Sequence, residues 1–232
     1  MKKWRILRIT TSINIKSKTM HPRASKPMEM LTESLNEILM TVKFSMQYRK
    51  SYDSEFWSVT EENDGILGFP SCMLLFCVVD TLGSYFENHQ NFKIDIKGLS
   101  NPQTISDENR SHFYILNSEL FNLSLSKGDI DRLYECRTSL LHNSVLTDGV
   151  ILRETNKKDF IEKVKFEKKT LMSIGITDFY YACEMAVERF FNYPIVIKDQ
   201  LKHRSQFHYK GISNEKGLYE LTNGEFWGTR TS

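Results

Sequence analysis

Residues 69–86 read Phe69-Pro70-Ser71-Cys72-Met73-Leu74-Leu75-Phe76-Cys77-Val78-Val79-Asp80-Thr81-Leu82-Gly83-Ser84-Tyr85-Phe86 and are apolar nearly all the way round a helical wheel. A helix without a polar face must be surrounded by other elements, so this stretch predicts the central helix of a bundle, opening at Pro70 and running to about Phe86. Over residues 72–79 a buried strand would share the composition; the length and the Leu and Met content favour helix. One carboxylate, Asp80, stands alone in this run. Burying a charge is costly unless it is paired, so Asp80 calls for a cation on a neighbouring element.

The flanking segments supply candidates for those neighbours. In residues 27–49 the apolar positions Met28, Leu31, Leu35, Ile38, Leu39, Val42 and Met46 recur at steps of three and four, and Pro27 suits a first helical turn. Residues 51–68 are polar and carry the turn signal Asn63-Asp64-Gly65; residues 88–110 form a polar connection containing Asn101-Pro102. A shorter amphipathic helix is expected over 111–123, and a strong one over 129–146 with Asp129 or Asp131 suited to its N-terminal dipole and Asp148-Gly149 ending it. Residues 150–153 and 160–166 alternate, and read as a hairpin closed by Asn156-Lys157-Lys158-Asp159. Thr177 is placed as the cap of a last helix to about Asn192, with Phe179, Cys183, Met185 or Ala186, and Phe190 inward and Tyr193-Pro194 as its stop. The fold class is therefore mainly α: a helical bundle over residues 27–197, with a small β-hairpin inserted before the last helix.

The fourth helix carries the second polar anomaly. Along Asp131-Arg132-Leu133-Tyr134-Glu135-Cys136-Arg137-Thr138-Ser139-Leu140-Leu141-His142-Asn143, the residues Ile130, Leu133, Tyr134, Leu140, Leu141 and Val145 share one arc, and Arg137 falls inside it. His142 lies about 140° from Arg137 on the polar side. The economical arrangement pairs Arg137 with Asp80 between two packed helices. A catalytic use of Arg137 on a phosphate would compete with that pair for the same guanidinium.

Arg137 and His142, with four residues between them and following a mostly buried helix, resemble the Arg-x4-6-His motif of the HEPN superfamily (higher eukaryotes and prokaryotes nucleotide-binding domains). Residues 133–143 look like the motif helix of bacterial members, and Phe69-Pro70 with the helix through Asp80-Thr81-Leu82-Gly83 looks like the segment before it. The resemblance implies a HEPN-like helical domain and a homodimer with a composite site. It also implies metal-independent RNA cleavage, in the role of a toxin or phage-defence effector. Arg137 and His142 would be the catalytic pair; Thr138, Asn143, Glu135 and Asp80 would support them. Active ribonucleases of the family usually carry Asn, Asp or His after the arginine, where this chain has Thr138. The alternative is a non-catalytic HEPN-fold module that binds RNA, nucleotide or a protein partner such as an antitoxin.

Composition bounds the remaining possibilities. The chain has 232 residues, 40% of them hydrophobic and 26% charged, which is ordinary for a globular domain. Residues 1–26 hold eight Lys and Arg and no Asp or Glu, while the other 206 carry 23 basic and 29 acidic side chains. The basic leader lacks the apolar stretch of a secretory signal and is expected to be poorly ordered, or to precede a natural start at Met20 or Met28. Such a leader can also bind nucleic acid or anionic lipid. Cys72, Cys77, Cys136 and Cys183 stand singly, without zinc spacing, as free thiols of a cytoplasmic protein. No apolar run approaches a membrane span, and the motifs call for no metal and no cofactor. His89 and His112 are placed in or near polar loops without ligand partners, so no metal binding is expected of them. Lys157, Lys158, Lys163, Lys165, Lys168 and Lys169 form a solvated hairpin face that RNA could also use. His203, Arg204, Phe207, His208, Tyr209 and Lys210 make a basic-aromatic cluster in a polar C-terminal tail, residues 198–232.

Overall fold

The computed structural model describes residues 27–58, 64–156 and 159–192. The basic leader, Lys157 and Lys158, and the C-terminal tail with its basic-aromatic cluster lie outside these residues. Six α-helices are seen among them: α1 (Pro27–Gln47), α2 (Ser54–Trp57), α3 (Gly68–Ser84), α4 (Asn109–His112), α5 (Lys127–Asn143) and α6 (Ile176–Phe191). A three-stranded sheet, β1 (Val150–Arg153), β2 (Ile161–Phe166) and β3 (Lys169–Gly175), precedes α6. The mainly helical fold with a small β insertion before the last helix is as the sequence predicts.

α3 is the central helix. It packs on α1, α4, α5 and α6, and Cys72, Leu75, Phe76, Val78, Val79 and Leu82 are all fully buried. α1 lays Leu31, Leu35, Leu39 and Val42 against it, the three- and four-residue spacing putting them on one stripe. A line of aromatic contacts crosses the molecule from the sheet to α5. Phe160 stacks on Phe179 at 4.5 Å, and Phe179 meets Phe76 at 5.4 Å. Phe76 then meets Phe113 at 5.8 Å, and Phe113 meets Tyr134 edge-on at 5.5 Å. Each fully buried Phe contributes on the order of 1.5–3 kcal/mol of transfer free energy, so this line ties the layers together.

The β insertion differs from the predicted hairpin. β1 and β2 do not pair with each other; β3 lies between them, antiparallel to β2 and parallel to β1. The hairpin is β2–β3, closed by the two residues after Phe166, with Phe166 opposite Lys169 and Glu167 at a φ of 52°. A two-residue turn with a left-handed residue matches the strand twist. The crossover from β1 is fastened by Asn156, whose Nδ2 donates to the carbonyls of Phe160 and Ser173 while its Oδ1 accepts from Ser173 Oγ at 2.7 Å.

Several boundaries move for similar tertiary reasons. The expected helix over 111–123 is a single turn, α4, continued by a 3-10 segment, Phe113–Asn117. α5 stops at Asn143 because Ser144 takes a left-handed φ of 56°, leaving Val145 exposed beyond it. Thr177 does not cap α6: Gly175 occupies that position, without a side-chain cap. In α6 Ala186 is inward and Met185 outward. None of the described helices is long and apolar enough to cross a membrane.

Candidate functional site

α5 begins at Ser126, whose Oγ accepts from Asp129 N at 3.2 Å and donates to Asp129 Oδ2 at 2.6 Å. From this cap the helix buries Ile130, Leu133, Cys136 and Leu140, a stripe that turns Arg137 toward α3. There Arg137 Nη2 donates to Asp80 Oδ2 at 2.6 Å, the pair expected from the two polar anomalies. The side chains keep 17% and 22% of their surface, so the pair sits at the rim of the bundle rather than sealed within it. Arg137 also lies over the Tyr134 ring, 5.9 Å from its centre.

Asp80 has a second cation-type partner that the sequence does not reveal. His112 Nδ1 is 2.9 Å from Asp80 Oδ1, and its Nε2 is 2.6 Å from Glu87 Oε1. The sequence places His112 in or near a polar loop; in the fold the residue is buried, and both ring nitrogens face carboxylates. The cause is the approach of α4 to α3 at Gly83, where an added Cβ would lie 2.7 Å from His112 Cα and closer still to its carbonyl oxygen. Only a residue without a side chain lets the two backbones come this near. Burial, the strongest single influence on Asp80, works to raise its pKa; the hydrogen bond from His112 and the charge and hydrogen bond of Arg137 outweigh it and hold the carboxyl below its ordinary value. The signal available in the sequence was the pairing of Gly83 with Asp80 and Glu87 on successive turns, spaced so that all three lie toward one side of the helix and its end.

The remaining predicted site residues are not drawn into this cluster. His142 lies in the last turn of α5 and is exposed, as are Asn143 and Glu135. Among the described residues no side-chain hydrogen bond joins these three to each other or to Arg137. Thr138 Oγ1 donates to the Tyr134 carbonyl at 2.9 Å, the common back-bond of a helical threonine. A cavity of about 420 Å³, lined in part by Ser126, Asp129, Arg132, Lys163 and Thr170, opens at the other end of α5. Its charges are engaged, Lys163 Nζ at 3.0 Å from Asp129 Oδ1 and Arg132 Nη2 donating to the Asp148 carbonyl at 2.7 Å. Lys163, expected on a solvated face, is thus both exposed and ion-paired.

The four cysteines are free. Burial pushes the Cys72 and Cys183 thiols well above their usual range and Cys136 up to about 11, so none of these three is a nucleophile at neutral pH. Among the described residues no three His, Cys, Asp or Glu side chains stand together as metal ligands would. What the chain does present is a fixed, rim-placed guanidinium and, little more than one turn further along the same helix, an open imidazole. No family model matches the chain, and neither a curated protein nor a solved structure gives a significant match.

Proposed function

We propose that this protein is a HEPN-like, metal-independent endoribonuclease that works as a homodimer. The observation that carries the reading is Arg137: a cation anchored at one Nη by Asp80 yet left at the rim, on the helix whose last turn carries the exposed His142. A guanidinium held in one orientation suits the charge that gathers on phosphate oxygens. A solvent-open imidazole is the side chain suited to proton transfer at neutral pH. In the reaction the ribose 2′-oxygen attacks phosphorus and gives up its proton to one imidazole. The bond to the 5′-oxygen breaks, and that oxygen takes a proton from a second imidazole. The products are a 2′,3′-cyclic phosphate and a 5′-hydroxyl.

A regular helix points Arg137 and His142 about 140° apart, so one copy of α5 is poorly placed to bring both to one phosphate. Two copies related by a two-fold axis present two of each, which supports the dimer. The role would be that of a toxin or a phage-defence effector acting on RNA in the cytoplasm.

The Asp80–Arg137 bond also favours a second reading. A guanidinium that already has a carboxylate is partly spent, and Thr138 hydrogen-bonds its own helix instead of facing a ligand. A non-catalytic module binding RNA, nucleotide or a protein partner through the same surface would have this geometry.

Incubating the full chain with total RNA in EDTA separates the two. The ribonuclease cleaves without metal, His142→Ala lowers kcat by about 10²–10⁴-fold, and Arg137→Ala lowers it by about 10²–10³-fold. Absence of cleavage by the wild type leaves the binding module. Cleavage that survives His142→Ala refutes the role given to that residue.

A further inference from the structure

The role given to Arg137 leaves His112 and Glu87 unused, although they are the most deliberately placed polar groups in the bundle. Asp80 gives one oxygen to Arg137 and the other to His112, and His112 reaches on to Glu87. Carboxylate oxygens only accept, so both contacts of the ring are hydrogen bonds when it carries both of its N–H protons. The side chain of His112 keeps 6% of its surface, and its backbone is pressed against Gly83, so the ring has no room to turn away. Phe113, the next residue, packs on Tyr134, over whose ring Arg137 lies.

This arrangement differs from an isolated ion pair in two ways. An arginine bound to one aspartate is neutral as a unit and attracts a phosphate weakly. Here Asp80 also accepts from the His112 ring, so its charge is divided between two donors, while Glu87 holds the far ring nitrogen. The carboxylate is also gripped at both oxygens, so it cannot swing with the arginine it anchors.

We propose that His112 is a positioning residue for Arg137. It acts through Asp80, holding the carboxylate at its second oxygen and so fixing the direction of the guanidinium, while Glu87 fixes the ring. What Arg137 does for a substrate rests on the ribonuclease reading; how Arg137 is held does not.

The test takes the full chain with isotope-labelled arginine, together with His112→Ala, His112→Gln and, for assignment, Arg137→Lys. The Nε of Arg137 is buried, so its proton is shielded from exchange and reports on the guanidinium by NMR relaxation. In parallel, kcat and KM are measured on a single-stranded RNA oligonucleotide in EDTA. Both His112 variants are expected to loosen the guanidinium and to lower kcat by about 10–100-fold, with KM within about threefold of wild type. Added imidazole is expected to restore part of both in His112→Ala, which a loss of general stability would not allow. If His112→Ala does not fold, His112→Gln fills most of the same volume while donating from a single nitrogen, and it carries the test. An Arg137 guanidinium as ordered in His112→Gln as in wild type overturns the proposal, whatever the activity. A wild type that cleaves no RNA removes the ribonuclease reading alone, and the guanidinium order still decides for or against His112.

Discussion

At Gly83 a single missing side chain determines where a buried histidine ends up. An alanine there would drive its methyl into the His112 backbone, and neither α3 nor α4 has a flexible group that can yield. Overpacking of this kind costs about 1–3 kcal/mol, and Gly83→Ala is expected to lie at the upper end, read as a lower urea midpoint at unchanged slope. It should also release His112 from Asp80, so the chemical shifts of the His112 ring should move with it. Asp80 and Arg137 were legible in the sequence because each is a charge among apolar neighbours, and burial forces such charges together. His112 was not, since residues 106–112 are all polar and nothing in them announces burial. Its environment comes from Asp80, Gly83 and Glu87, some 25 to 32 positions away.

Among the elements, α5 matters most, because it aims both Arg137 and His142. Its start is set by Ser126 and Asp129, which satisfy free N–H groups and place a carboxylate at the positive end of the helix dipole. Ser126→Ala is expected to cost about 1 kcal/mol, a fall in melting temperature of about 2–4 °C for a chain of this size. Circular dichroism melts check this, and a variant indistinguishable from wild type would show the cap to be idle. The long helices could be read from periodicity, because a core-facing stripe leaves its mark at every third or fourth residue. β3 could not. It opens on exposed Lys169 and Thr170, and its buried part, Met172 to Gly175, is too short to show a period before α6 begins. Its place between β1 and β2 depends on hydrogen-bonding partners on both sides, which no local pattern specifies.

For the molecule as a whole, the Asp80 cluster joins α3, α4 and α5, and its charge state enters global stability. Asp80 is held below its ordinary pKa in the fold, by His112 and Arg137 against the opposing effect of burial. Its contribution is therefore fully present above the unfolded value of about 3.9 and is lost as pH falls through the lower folded value. In urea titrations from pH 6 downward, Asp80→Asn is expected to start less stable than wild type and to lose less on acidification. Parallel acid limbs for the two proteins would contradict this. Asp129 and Glu154 are also held low, Asp129 by Ser126 and Lys163 against burial and Glu154 by Arg49, so both proteins retain a common acid limb.

The amino-acid sequence by itself determined the helical class, the central position of α3, the inward stripes of α1 and α6, and the meeting of Arg137 with Asp80. All of these follow from periodic burial, which shows within one or two turns of chain, and from the cost of leaving a buried charge unpaired. Only the tertiary structure decided the strand order and the burial of His112 between two carboxylates. Those depend on which distant backbones come into contact, at Gly83 above all, and proximity between distant segments leaves no period in the chain.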